Sequence, residues 1–89
     1  MIKLAPALLD SYVGRYQLTT DMHVDVTRDG DRLWGQPKGQ KAVELQPTSQ
    51  TQFFAPAVNA DVTFDKAADG VQQMTLSHRG RDLTGKKVQ

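Results

Sequence analysis

The chain contains no cysteine. That absence removes disulfides, thiolate metal sites and a cysteine nucleophile together, leaves the redox compartment open, and makes hydrophobic packing carry the fold. Long apolar runs are also missing. No segment approaches the ~20 residues of a membrane span, and residues 1–9 have neither the apolar stretch nor the cleavage pattern of a signal peptide. A natural start at Met1 therefore implies a cytoplasmic chain, whereas excision from an exported protein implies a periplasmic or secreted one. Charge of one sign is not in excess. Eleven Lys and Arg stand against ten Asp and Glu, a net charge of +1 with the signs interleaved. A domain-wide field of the kind that nucleic-acid binding needs is absent from such a pattern. Aromatics are few, at one Trp, two Tyr and three Phe, which is what a small core requires. With 89 residues the chain makes one domain, and a domain of this size buries only about 60% of the surface its unfolded chain exposes. No large enzymatic cleft is expected.

What is present is a change of period near the start and alternation after it. Ala5, Leu8, Leu9, Tyr12 and Val13 have helical spacing, while Tyr16 and Leu18 alternate with Arg15 and Gln17 as a strand does. Gly14 sits at the change. The pattern predicts a short helix over about 5–13 that turns at Gly14 into the first strand. A helix of about ten residues cannot hold itself together in water, so it must lie on an apolar end or edge of the sheet.

Seven further strands follow. Met22, Val24 and Val26 alternate with His23, Asp25 and Thr27, and Asp29-Gly30 is a hairpin signal that folds Arg32–Gln36 back antiparallel. Leu33 points inward there and Trp34 to the opposite face. Pro37 to Gln40 turns the chain into Val43–Leu45, and Pro47 ends that strand. Gln52–Ala55 carries Phe53 and Phe54. Ala60, Val62 and Phe64 alternate with Asp61, Thr63 and Asp65; a turn over 67–70 leads to Val71–His78, with Met74 and Leu76 inward. Arg79, Gly80 and Arg81 reverse the chain into Asp82–Val88, where Leu83 is the clearest apolar anchor and Gly85 suits a bulge or bend.

Eight short strands with a turn signal roughly every ten residues describe an antiparallel meander. A flat sheet of that kind would expose one apolar face and two edges. Curling removes both, so the expected fold is all-β: a small eight-stranded antiparallel up-and-down, lipocalin-like barrel or half-barrel, with the N-terminal helix across one mouth. Eight strands enclose a space that side chains just fill, or that admits one small ligand. Met22, Val24, Leu33, Phe54, Val62, Phe64, Met74 and Leu76 are expected to fill most of it.

These residues carry a family resemblance. Leu9-Asp10, Tyr12-Val13-Gly14 and Tyr16, then Val24, Val26, Leu33, Gly39-Gln40, Leu45, Pro47 and Phe53-Phe54, and finally Val62-Thr63-Phe64, Gly70, Leu76, His78 and Gly80 resemble the DUF3471 domain. This is the lipocalin-like barrel found C-terminal to serine β-lactamase-like hydrolases and peptidases. The resemblance implies a non-catalytic accessory module, because in such proteins the serine chemistry belongs to the preceding domain. The hydrolase motif places Lys three residues after the nucleophilic Ser, and none of Ser11, Ser49 and Ser77 has Lys at that offset.

Other constellations are weaker. His23 and His78, each expected on a polar strand face, would need Asp25 or Asp82 to hold a divalent ion, and their spacing sets no third ligand. Two carboxylates about 5 to 9 Å apart suit glycoside acid/base chemistry. Asp29 and Asp31 read instead as turn residues, and Asp61 and Asp65 as the outside of a strand. The bases of the C-terminal segment, Arg79, Arg81, Lys86 and Lys87 against Asp82, read as a solvated last strand with a charged edge. The side chains assigned to contact a ligand or partner are Tyr12, Tyr16, Trp34, Phe54 and Met74. The expectation is a chain with no activity, metal or cofactor, acting as an interaction module. Its partner would be a hydrolase or peptidase domain in the same or another chain, or a second copy. The alternative is a carrier of a small apolar molecule, which requires an empty cavity of roughly 300 Å³ or more. Neither nucleic acid nor a membrane is an expected partner.

Overall fold

Residues 4–88 are described in the computed structural model of the chain. A helix, α1 (Pro6–Asp10), precedes eight strands: β1 (Gly14–Gln17), β2 (His23–Asp29), β3 (Arg32–Pro37), β4 (Val43–Pro47), β5 (Gln52–Ala55), β6 (Ala60–Lys66), β7 (Gln72–His78) and β8 (Arg81–Lys87). Each strand pairs antiparallel with the next, and β8 returns to β1, so the meander closes into a barrel. The alternation places one face of every strand inside: Val24 and Val26, Leu33, Leu45, Phe53 and Ala55, Ala60, Val62 and Phe64, and Met74 are all buried. Apolar side chains are removed from water on one face while Thr, Asp, Gln and Lys stay wet on the other, which is why a sequence of this modest hydrophobicity folds.

The helix is shorter than its sequence pattern. Beyond Asp10 the turn tightens, with amides donating three residues back: Tyr12 N to Leu9 O at 3.0 Å and Val13 N to Asp10 O at 3.2 Å. This tightening rotates Tyr12 inward instead of along the helix face, and Gly14, at φ 150°, then starts β1.

Two expectations about the interior are corrected. Phe53, not Phe54, faces inward; Phe54 is half-buried on the outer face. Both orders satisfy a two-residue aromatic run, and the register with β6, which sets Phe53 opposite Val62, decides between them. Leu83 is no anchor, being 37% exposed. It sits opposite half-buried Leu76, in the part of β8 that lies beyond its pairing with β1. That pairing joins Tyr16 and Gln17 to Lys87 and Lys86; nearer the chain reversal, β8 has a strand on one side only among the described residues. Arg81 and Asp82 on that free edge discourage another chain from adding there.

The seam itself depends on Gly85. It is buried, and a β-carbon there would lie 2.0 Å from Gln17 O and 2.8 Å from Leu18 Cα, both backbone atoms. Glycine here lets β8 bend across β1, the corner at which the barrel shuts. The opposite situation holds in the two-residue reversal between β7 and β8. Arg79 (φ 54°) and Gly80 (φ 77°) have the positive φ values of a type I′ turn, and an L side chain pays for this at Arg79.

These two positions make opposed predictions. Gly85→Ala forces backbone apart at the seam and should destabilise by about 2 kcal/mol or more in urea unfolding. Arg79→Gly should raise stability by about 0.5–1 kcal/mol, because the left-handed conformation is then unstrained.

Candidate functional site

The two ends of the barrel are built differently. At the end carrying α1, Tyr12 stacks on Phe64 with centroids 4.4 Å apart and planes within 11°. Phe53 meets both rings edge-on, at 5.9 Å from Tyr12 and 5.5 Å from Phe64, and Tyr16 tilts against Phe64 at 5.6 Å. Both hydroxyls are used: Tyr16 Oη donates to Tyr12 O at 2.8 Å, and Tyr12 Oη to Gln50 O at 2.7 Å. Burial pushes both phenols above their ordinary pKa, and Tyr16, which also feels Tyr12, far above it. Neither tyrosine is therefore an acid or base near neutral pH. Both serve as the packing that closes this end.

The opposite end is open. Among its walls lies a cavity of about 150 Å³. Val24, Leu45, Val62 and Met74 form its deeper part; Met22, Pro37, Gln40, Val58 and His78 stand around its rim. His78 is a correction to the sequence reading. It continues the inward series Met74, Leu76, His78 and pairs with buried Ala60, so it belongs to the interior face rather than a polar one. The alternation was visible in the sequence, and the polarity of imidazole obscured it. Gly35 also lines the cavity; a β-carbon there would make ordinary contacts, 3.4 Å from Leu45 Cδ1 and 3.6 Å from Val24 Cγ1. The missing methyl is part of why the space exists.

Trp34 and Phe54 occupy a third place. Both are half-buried on the outer face of β3 and β5, and β4 runs between them, with Glu44 opposite Trp34 and Gln46 opposite Phe54. Beside them a depression of about 370 Å³ has Leu4, Leu9 and Phe53 in its walls and Arg32 and Glu44 at its margin. The five contact residues assigned from sequence thus divide among the closed end (Tyr12, Tyr16), the cavity wall (Met74) and the outside (Trp34, Phe54).

The other polar groups are held in local structure. Ser11 Oγ donates to Leu8 O, Ser77 Oγ donates to Asp82, and Ser49 Oγ accepts from the amides of Thr51 and Gln52. Among the described residues, no three His, Asp or Glu side chains gather at a metal-binding distance. His23 lies 3.9 Å from Asp25, on the outer face, whereas His78 is on the inner one. Arg15 Nε donates to Asp25 at 2.8 Å across β1 and β2, and this bond holds the carboxyl below its ordinary value. The stability it contributes is complete above the unfolded-state pKa of about 3.9 and is lost as the pH falls through the lower folded value.

The model of a domain of unknown function, DUF3471, matches residues 2–87. Penicillin-binding protein 4* of Bacillus subtilis (strain 168) is 33% identical over 76 residues, which are 85% of this chain and 17% of that protein. The chain thus spans less than a fifth of that relative's length. No solved structure matches. With a family model covering almost its whole length, the chain belongs to the DUF3471 family.

Proposed function

We propose that this barrel is a non-catalytic accessory module of serine β-lactamase-like hydrolases, packing against a hydrolase domain in the same or another chain. The observation that carries the reading is the match to a small segment of a penicillin-binding protein. A segment of that extent leaves most of such a protein to house the acylating serine. The side-chain arrangement supports the same division of labour. The three serines are engaged in caps, turns and a cross-strand bond, and among the described residues none of them is bonded to the basic side chain that a serine nucleophile needs.

The docking face is the outer surface of β3–β5 with the adjoining depression beneath α1. It combines Trp34 and Phe54, half out of water, with the apolar floor of Leu9 and Phe53 and a charged margin at Arg32 and Glu44. An aromatic centre inside a polar rim is the composition of protein interfaces. Since Trp34 lies outside the core, Trp34→Ala removes a contact without opening the barrel.

Incubation with a fluorescent penicillin tests the catalytic half of the reading. The isolated chain should remain unlabelled, and a covalent adduct on Ser11, Ser49 or Ser77 would overturn it. The docking half is tested by replacing the matched segment of the Bacillus subtilis relative with this chain. Trp34→Ala with Phe54→Ala should lower the chimera's thermal midpoint more than that of the isolated barrel, where the cost should stay below about 2 kcal/mol. Equal losses in both settings would place no partner on this face.

A further inference from the structure

We infer that the open mouth of the barrel is a binding site for a small carboxylate bearing a single apolar group of about benzene size. This inference is independent of the accessory role and concerns the end of the barrel away from α1. Size comes first. An apolar cavity of about 150 Å³ stays dry and accommodates a benzene-sized group, and is half the roughly 300 Å³ of an ordinary ligand pocket. A long acyl chain does not fit. A phenyl ring or a chain of some five carbons does, resting on Val62 and Met74, the latter a side chain that adapts to irregular ligands.

Charge identifies the head group. The four connections at the open end, residues 18–22, 38–42, 56–59 and 79–80, contain Lys38, Lys41 and Arg79 against the single carboxylate of Asp21. The connections at the other end, residues 30–31, 48–51 and 67–71, contain Asp31 and Asp69 and no base. The connections are therefore polarised along the barrel axis, with the cationic ones around the cavity.

Among the bases elsewhere, Arg15 pairs with Asp25, Arg28 with Asp10, Arg32 with Glu44 and Lys86 with Asp69, while Lys66 and Lys87 on the strands make no ion pair among the described residues. Lys38, Lys41, Arg79 and Arg81 make no ion pair among the described residues. Arg81 is the closest match to a carboxylate. It stands directly opposite His78 on β8, and opposed residues of a β pair project to the same face. Since His78 lines the cavity, Arg81 is on the face that opens over it, with a planar fork suited to two carboxylate oxygens. Met22, Val58 and Pro37 leave the apolar part of the rim to the ligand's body.

Hexanoate and phenylacetate are the probes, with 1-hexanol and hexylamine as neutral and cationic controls, followed by NMR of the Met74 methyl group. The two acids should shift that signal saturably in the millimolar range, the scale expected for so few ligand atoms. Hexanol should bind more weakly, and hexylamine more weakly still. Arg81→Gln should weaken hexanoate about fivefold without moving the thermal midpoint. Val58→Trp should block the mouth. Gly35→Ala, which adds a methyl to the cavity wall without a clash, should weaken binding while raising the midpoint, and it decides the matter if the tryptophan variant fails to fold. Hexanol binding as tightly as hexanoate, indifference to Arg81→Gln, or no saturable Met74 shift would each overturn the assignment.

Discussion

The stacking of Tyr12 on Phe64 is the constraint on which the rest of the molecule depends. A meander of short strands can curl, but its ends remain holes through which water reaches the interior face. Here the chain closes one hole with its own opening segment: the tightened turn after α1 swings Tyr12 into the barrel, where Phe64, Phe53 and Tyr16 surround it. Each aromatic contact adds about 0.5–1.5 kcal/mol beyond the area it buries. The two phenolic hydrogen bonds convert that packing into a fixed geometry, tying the segment to the β4–β5 connection and to its own backbone. A helix of five residues has no stability of its own. It exists because the ring beyond its end is anchored.

Closing one end by this means leaves the other end to be finished differently. Among the described residues there is no second helix, and β1 is only four residues long, so β8 runs on past it and the seam is covered for a short stretch. The bend at Gly85 completes the barrel where the two strands still meet. Past that point the β7–β8 hairpin projects beside an unplugged mouth, which explains together why Leu83 is wet and why His78 and not an aliphatic residue ends the inward series. A carboxylate near Arg81 or Lys38 would cancel the field at the mouth. Arg15, Arg28, Arg32 and Lys86 have carboxylate partners of this kind on the strands and beside α1.

Much of this was legible in the residues because alternation is a direct record of burial. Val24 and Val26, Ala60 through Phe64, and Asp29-Gly30 each specify a strand or a reversal by local chemistry alone, and the eight strands follow from them. Phe53 and Phe54 carry no such record: adjacent rings read equally well in either orientation, and only pairing with β6 selects one. Leu83 misleads because an apolar residue in phase with its strand is buried only if another strand lies beside it, and strand length is a property of the neighbour. Gly85 is ambiguous for a related reason. Its role is set by Gln17, which is remote in sequence. The cavity is the least legible feature, since it arises from what Gly35 and Ala60 do not fill.

The size of that cavity limits what the fold can be used for. A small barrel becomes a carrier when its interior is emptied of large side chains, and here Tyr12, Tyr16, Phe53 and Phe64 fill the end beside α1. Enlarging the space would mean removing rings from the cluster that anchors the opening segment, so capacity and closure compete for the same residues. A chain of this length has no disulfide or second layer to substitute for the lost packing. The aromatic plug therefore sets an upper bound on the ligand: whatever enters must fit between the open rim and Met74, while any larger partner must use the outer face.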